Sequence, residues 1–180
     1  MTKLKEFCEL QTGIPLARKY FGEDGFSVIQ MKDINPEGQI EVNLERSNQY
    51  QNINKNKLIK ENDILLIARG TRIKAFLIKK IKDETIATTS FFILRPGPQL
   101  LPEFLVWYIN GSRLPIISSA TIPLIQLSDM KELDIHVPDI ETQIKIISAH
   151  EAISKAKKLH NEYYEKQESL LRGVILQKTY

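Results

Sequence analysis

The sequence predicts an α+β fold: a mixed β-sheet domain with short helices over 1–138, followed by a long C-terminal coiled-coil helix over 139–180. Three observations predict it. Short apolar runs, β-branched or aromatic and bounded by Gly or charged residues, crowd the stretch from Asn62 to Pro96. A helical pattern opens at Pro102, just after the sharp break Pro96-Gly97-Pro98. Beyond Pro138 the chain has no Pro and only Gly173, and is rich in Ala, Glu, Lys, Leu and Ile.

Taken in order, Lys3 to Leu10 reads as a first strand with Leu4, Phe7 or Cys8, and Leu10 facing inward, ended by Gln11-Thr12-Gly13. Ile14 to Gly25 is a connection rich in turn residues. Phe26 to Ile34 is a second strand, and Asn35-Pro36-Glu37-Gly38 is a strong turn signal. Gln39 to Leu44 is expected to return as a hairpin, and Glu45 to Asn56 to be a polar loop rich in Asn and Gln. Three consecutive strands follow: Ile64–Ala68, Ile73–Ile78 and Ile86–Leu94. The turn between the first two, Arg69-Gly70-Thr71-Arg72, sets two guanidinium groups around a glycine that can take φ > 0, so its tip can be tight.

After the Pro96-Gly97-Pro98 break, a helix from Pro102 carries Phe104, Leu105, Tyr108 and Ile109 and stops at Asn110-Gly111. Its apolar face is expected to cover the sheet, with Trp107 packing rather than stacking on a base. Ser112 to Ala120 reads as a second short helix broken near Pro115. Ser118 to Pro123 is a polar loop of small residues whose hydroxyls and N–H groups suit a phosphate. Leu127-Ser128-Asp129-Met130 resembles a helix cap, and Leu133 to Pro138 a last strand. In the final helix, Ile146, Ile153, His160, Gln167 and Val174 fall on one heptad position, and Ala149, Ala156, Tyr163 and Leu170 on its partner. Such a helix spans on the order of 50 Å, more than a small domain is wide, so its stripe needs a second helix.

Composition bounds the function. Apolar content of 42% and charged content of 26% describe an ordinary globular chain. From Lys55 to Lys82 there are nine Lys or Arg against two acids, Glu61 and Asp63. That is a local +7 in a chain of +3, so the rest sums to −4. Such a block fits a nucleic-acid footprint, and equally a solvated sheet face with lysines guarding an edge. The single Cys8 excludes an intramolecular disulfide. The Met1-Thr2-Lys3-Leu4-Lys5 start has no apolar signal region, and no run is long enough to span a membrane, so a cytoplasmic protein is expected. The enzyme class is disfavoured. The three histidines have no metal spacing, no glycine-rich phosphate loop is present, and no Glu-x-Lys nuclease pattern occurs.

Four stretches, in order, resemble one family. They are Val28-Ile29-Gln30-Met31-Lys32-Asp33-Ile34; Asn62-Asp63-Ile64-Leu65-Leu66-Ile67-Ala68-Arg69-Gly70; Ile86 to Pro96; and Thr121 to Leu133 with Ile135-His136-Val137-Pro138 and Glu141-Thr142-Gln143. Together they resemble the target-recognition half of a type I restriction–modification specificity subunit. Asn62 stands where the family usually has Gly. The helix entry Asp139-Ile140-Glu141-Thr142-Gln143 departs from the usual Pro-Leu-x-Glu-Gln. The family's typical subunit holds two recognition domains and two long helices, whereas this sequence holds one of each.

The resemblance implies a non-catalytic module that contacts one half of a split double-stranded DNA site. It implies methyltransferase subunits as partners, with restriction subunits as further candidates, and no cofactor in this chain, S-adenosylmethionine belonging to the methyltransferase. The long helix would pair with a second copy through Ile146, Ala149, Ile153, Ala156, His160, Tyr163, Gln167, Leu170 and Val174. From turn positions and the resemblance together, the candidate phosphate contacts are Lys32, Arg69, Arg72, Lys74, Ser118, Ser119 and Thr121. The candidate base readers are Gln30, Arg69, Thr71, Thr89 and Gln126. Two other readings stay open: an assembly module that uses only the helix, and the detached specificity half of a fused restriction–methylation enzyme.

Overall fold

The structure, a computed structural model, describes residues 2–35, 40, 43–50, 52–71, 73–117 and 122–177, with side chains of the last helix as far as residue 173. The chain divides into two compact units, Met1–Ile140 and Glu141–Tyr180.

The first unit is built on two four-stranded sheets. In one, β2 (Cys8–Thr12), β9 (Phe91–Pro96), β6 (Ile64–Ile67) and β7 (Ala75–Leu77) lie in that order, all antiparallel. In the other the order is β3 (Phe21–Gly22), β5 (Arg46–Ser47), β4 (Phe26–Ile29) and β8 (Thr85–Ala87), with β4 and β8 parallel. A short pair, β1 (Thr2–Lys3) with β10 (Asp134–Ile135), ties the chain's start to its later part. Strand position explains each burial pattern. Central β6 is buried at every residue, whereas β2, with one neighbour, alternates buried Cys8 and Leu10 with exposed Glu9. The core between the sheets takes Leu65, Ile67, Phe91 and Ile93 from one and Ile29 and Ala87 from the other. Helix α1 (Pro102–Gly111) packs on β7 and β9 through its apolar side.

Several elements differ from the sequence expectation. The run Ile86–Leu94 is two strands in two sheets, because Thr88-Thr89-Ser90 turns the chain out of β8 and into β9. Lys3–Leu10 is interrupted by a 3-10 turn at Leu4–Glu6. The strand expected over Phe26–Ile34 ends at Ile29, where a 3-10 turn over Met31–Asp33 begins. There the Gln30 N–H donates to the Asp33 carboxylate at 2.8 Å. The polar stretch Glu45–Asn56 contains β5, an internal strand of the second sheet. Ser112–Ile117 is not helical; Ile117 instead bridges Leu124. The short helix α2 (Leu127–Lys131) is preceded by Gln126, with no side-chain cap. The last strand shortens to β10. Most of the turn and hairpin expected over 35–44 lies outside the described residues, although Ile34 and Ile40 form an antiparallel bridge.

The family-like stretches at Asn62 and Ile86 meet in one polar lock. The Arg95 guanidinium donates to both oxygens of Asp63, at 2.7 and 2.8 Å, and to the Leu58 carbonyl at 3.1 Å. Asp63 is 1% exposed and also accepts the Lys60 N–H. Just before it, Asn62 has φ +70°, the third position of the turn that the Asp63 N–H closes onto Lys60. That conformation favours Gly and, next, Asn. Asn62→Gly is therefore expected to fold as well as the parent or up to about 1 kcal/mol better, and Asn62→Ala to lose about 1 kcal/mol, both read from urea midpoints. Cys8 lies nearby, and burial pushes its thiol up to about 12, so it stays a neutral packing group.

The second unit is formed by the helix α3 (Ile140–Gln177), which lies within the 139–180 span expected for a long C-terminal helix. On its stripe Ile153, Tyr163 and Leu170 are more than half exposed in the single chain, as are Leu159, Tyr164 and Leu171 beside it. His160 packs edge-on against Tyr164, and Gln167 donates to the Tyr163 hydroxyl at 2.6 Å. No helix among the described residues is long and apolar enough to cross a membrane.

Candidate nucleic-acid interface

One end of the two sheets collects the residues that could read an anionic partner, and backbone hydrogen bonds stitch that end into a ledge. Because β4 and β8 are parallel, both finish there, and the Thr88 N–H donates to the Ile29 carbonyl at 3.1 Å. Gln30 and Thr89 are thereby set on neighbouring chains. The Ala68 N–H then donates to Ser90 at 2.8 Å, which brings the Arg69 tip beside the Thr88-Thr89-Ser90 turn. On the tip's far side Arg69 bridges Leu124. The Gly70 N–H donates to Pro123 and the Ile125 N–H to Ala68, both at 2.8 Å, so Gln126 joins the same end. Gly70 sits at φ +122°, which a side chain would resist. Lys74 enters β7 at this end, its carbonyl accepting from Ile67 at 3.0 Å.

The ledge thus brings together Gln30, Lys32, Arg69, Thr71, Lys74, Thr89 and Gln126. Arg69, Thr71, Lys74, Thr89 and Gln126 are exposed. Arg72, Ser118, Ser119 and Thr121 lie outside the described residues, as does the side chain of Val174. The basic block of Lys55 to Lys82 proves not to be one surface. Arg69 and Lys74 belong to the ledge, whereas Lys79, Lys80 and Lys82 leave β7 at its other end, where the Ile78 N–H meets the Asp63 carbonyl. Lys57 lies over β2, its ammonium on the Thr12 carbonyl. A concavity lined by Lys5, Cys8, Arg95 and Pro96 among others is at the opposite end of β2 and β9.

Two residues the sequence reading passed over shape the ledge. Glu45 accepts from the Gln30 amide at 2.8 Å and from the Lys32 ammonium at 2.6 Å. Lys32, then Gln30, hold its carboxyl below the usual carboxylate range. Both partners must leave Glu45 to reach a nucleic acid, a small cost for an exposed pair. Asn110 closes α1 and grips the edge strand beside the tip. Its side-chain oxygen accepts the Ala75 N–H at 2.9 Å and its amide donates to the Ala75 carbonyl at 3.0 Å. Ala75 is 1% exposed, so no water can replace that pair without rearrangement. Asn110→Ala is expected to cost about 1–3 kcal/mol and to speed hydrogen exchange at the Ala75 amide. An unchanged exchange rate would refute the clamp. In sequence Asn110 reads only as a helix stop, because its partner is 35 residues away.

Among the described residues, no three His, Cys, Asp or Glu side chains gather as metal ligands. The ledge offers guanidinium, ammonium, amide and hydroxyl donors, the set that contacts phosphates and base edges.

Comparison with known proteins points the same way. Residues 1–168 match the sequence profile of the family described as type I restriction modification DNA specificity domain. Curated proteins gave no match. Among solved structures, the chain is similar to one from a study of complex assembly and conformational transition of the type I R-M system. There the TM-score is 0.74 at 16% identity, over 96% of this chain and 42% of that one. It is also similar to the HsdS subunit from Thermoanaerobacter tengcongensis, with a TM-score of 0.65 at 16% identity, over 86% of this chain and 37% of that one. The S subunit from M. genitalium gives a TM-score of 0.54 at 16% identity, over 86% and 38%. The chain therefore spans about two fifths of the length of the solved chains it resembles.

Proposed function

The chain belongs to the type I restriction–modification DNA specificity domain family, and from that premise we propose that its ledge reads one half of a bipartite duplex site. The observation that carries this reading is the stitched end itself. Arg69, Thr71, Lys74, Thr89, Gln30 and Gln126 share one end of rigid sheets, with cations to hold phosphates and amides to address adenine edges. The module does no chemistry. Methyltransferase subunits dock beside it in the cytoplasm and bring their own S-adenosylmethionine. The stripe of α3, from Ile146 to Leu170 and exposed from Ala149 onward, pairs with the stripe of a second copy and sets two ledges on one two-fold axis. The target is then a palindrome split by a spacer.

Selection of duplexes from a random-sequence library tests the first part. The recovered duplex should bind with an affinity that falls steeply with salt, in proportion to the phosphates neutralised. Arg69→Ala should weaken that binding by about 1–3 kcal/mol. Unchanged affinity would remove Arg69 from the interface. Solution mass tests the second part, a dimer weighing twice the 20.7 kDa chain. A stable dimer that recovers no duplex at low salt would favour the assembly-module reading, in which only the helix works.

A further inference from the structure

We propose that Ile122 is a specificity-determining residue that reads the 5-methyl group of a thymine next to the position addressed by Arg69. The inference rests on the DNA reading above and adds to it an apolar contact that the charged and amide groups cannot make. Among the described residues of the first unit, five large apolar side chains are exposed: Tyr20, Met31, Ile116, Ile122 and Ile140. Three of the five lie at the ledge. Met31 follows Gln30, and Ile116 and Ile122 flank the Ile117–Leu124 bridge that continues onto Arg69. Apolar side chains scattered singly over a surface need no explanation, but a cluster at a cationic end does. Ile122 is the most open of the five at 56%, while Ile125, three residues on, is buried.

The backbone presents Ile122 in a prepared state. It precedes Pro123, whose ring keeps the preceding residue out of the helical region. The Pro123 carbonyl is held by the Gly70 N–H at 2.8 Å, one residue from Arg69. The β-branched side chain has few rotamers to lose on contact. A stiff apolar residue, two positions from the Leu124 that bridges Arg69, fits one feature of a duplex groove. In the major groove the thymine methyl is the apolar mark that distinguishes a base edge, and Arg69 alongside can take a guanine edge or a phosphate.

The test uses the full chain and the duplex that it recovers from a random library. Each thymine is replaced in turn by deoxyuridine, which lacks only the methyl group. One replacement should weaken wild-type binding about fourfold, the value of burying one methyl group. Ile122→Ser should bind the thymine duplex about fourfold more weakly and show no further loss with deoxyuridine at that position. If no thymine methyl matters to the wild type, or if Ile122→Ser is as sensitive to deoxyuridine as the wild type, the assignment is wrong while the DNA reading stands. If the wild type recovers no duplex at all, both fall together.

Discussion

Gly13→Ala is expected to destabilise the first unit by about 3 kcal/mol or more, at or above the top of the ordinary range for overpacking. A Cβ on Gly13 would lie 2.1 Å from the Thr88 carbonyl oxygen and 2.5 Å from that of Ala87. Both obstacles are backbone, so no side chain can swing aside. The position is where the two sheets are joined. Leaving β2, the chain donates from Gly13 to Phe91 at 3.0 Å and from Ile14 to Ala87 at 2.8 Å, and Ile14 pairs in parallel with Thr88. The β8–β9 link crosses between the sheets at the same point. Two strands thus change sheets side by side, and only a residue without a side chain lets them approach so closely. Gly22→Ala is the matched control, because a Cβ there meets nothing within 4 Å. It should stay within about 0.5 kcal/mol of the parent. Urea midpoints compared at one protein concentration decide the matter, since self-association would shift both. Equal midpoints for the two variants would refute the crossing.

Arg95→Ala is expected to cost about 3 kcal/mol, the lower end of the usual loss when one partner of a buried ion pair is removed. Asp63 would remain 1% exposed without its guanidinium, and the Leu58 carbonyl would lose a donor. The lower end applies because Arg95 itself is one-fifth open to water. Replacing both residues, Asp63→Leu with Arg95→Leu, should cost less than the two single changes added together, because no uncompensated charge is left. The functional consequence is equally specific. The pair joins the start of β6 to the end of β9, the opposite end from the Arg69 tip. The folded fraction of Arg95→Ala should therefore keep its affinity for a recovered duplex, whereas Arg69→Ala should keep its stability and lose affinity. A fall in duplex affinity of folded Arg95→Ala would show that the pair does more than hold the sheet.

The family-like stretches acquire a physical meaning from these contacts. Asn62-Asp63 and Arg95-Pro96 are far apart in sequence and carry no sign that they meet. In the structure the carboxylate of one is the partner of the guanidinium of the other, and Asn62 fills a left-handed turn position that suits glycine. Part of the resemblance is thus a lock on the sheet and not a reading surface. The basic block teaches the converse lesson. Its charges are neighbours in sequence, yet a strand pair carries Arg69 and Lys74 to one end and Lys79, Lys80 and Lys82 to the other.

By itself the sequence determined the elements whose signal is local. Helix α3 (Ile140–Gln177) was legible because its apolar period and freedom from Pro need no partner. The buried run of β6 and the helix opened by Pro102 were legible for the same reason. Only the tertiary structure decided which strands pair. Ile86–Leu94 is apolar on both sides of Thr88-Thr89-Ser90, and burial alone cannot say that those three residues move the chain from one sheet to another. It alone brought Gln30, Arg69, Thr89 and Gln126 to one ledge, and set Asn110 on Ala75. The reason is that hydrophobic period reports how deeply a residue is buried, while strand register and side-chain pairing depend on partners tens of residues away.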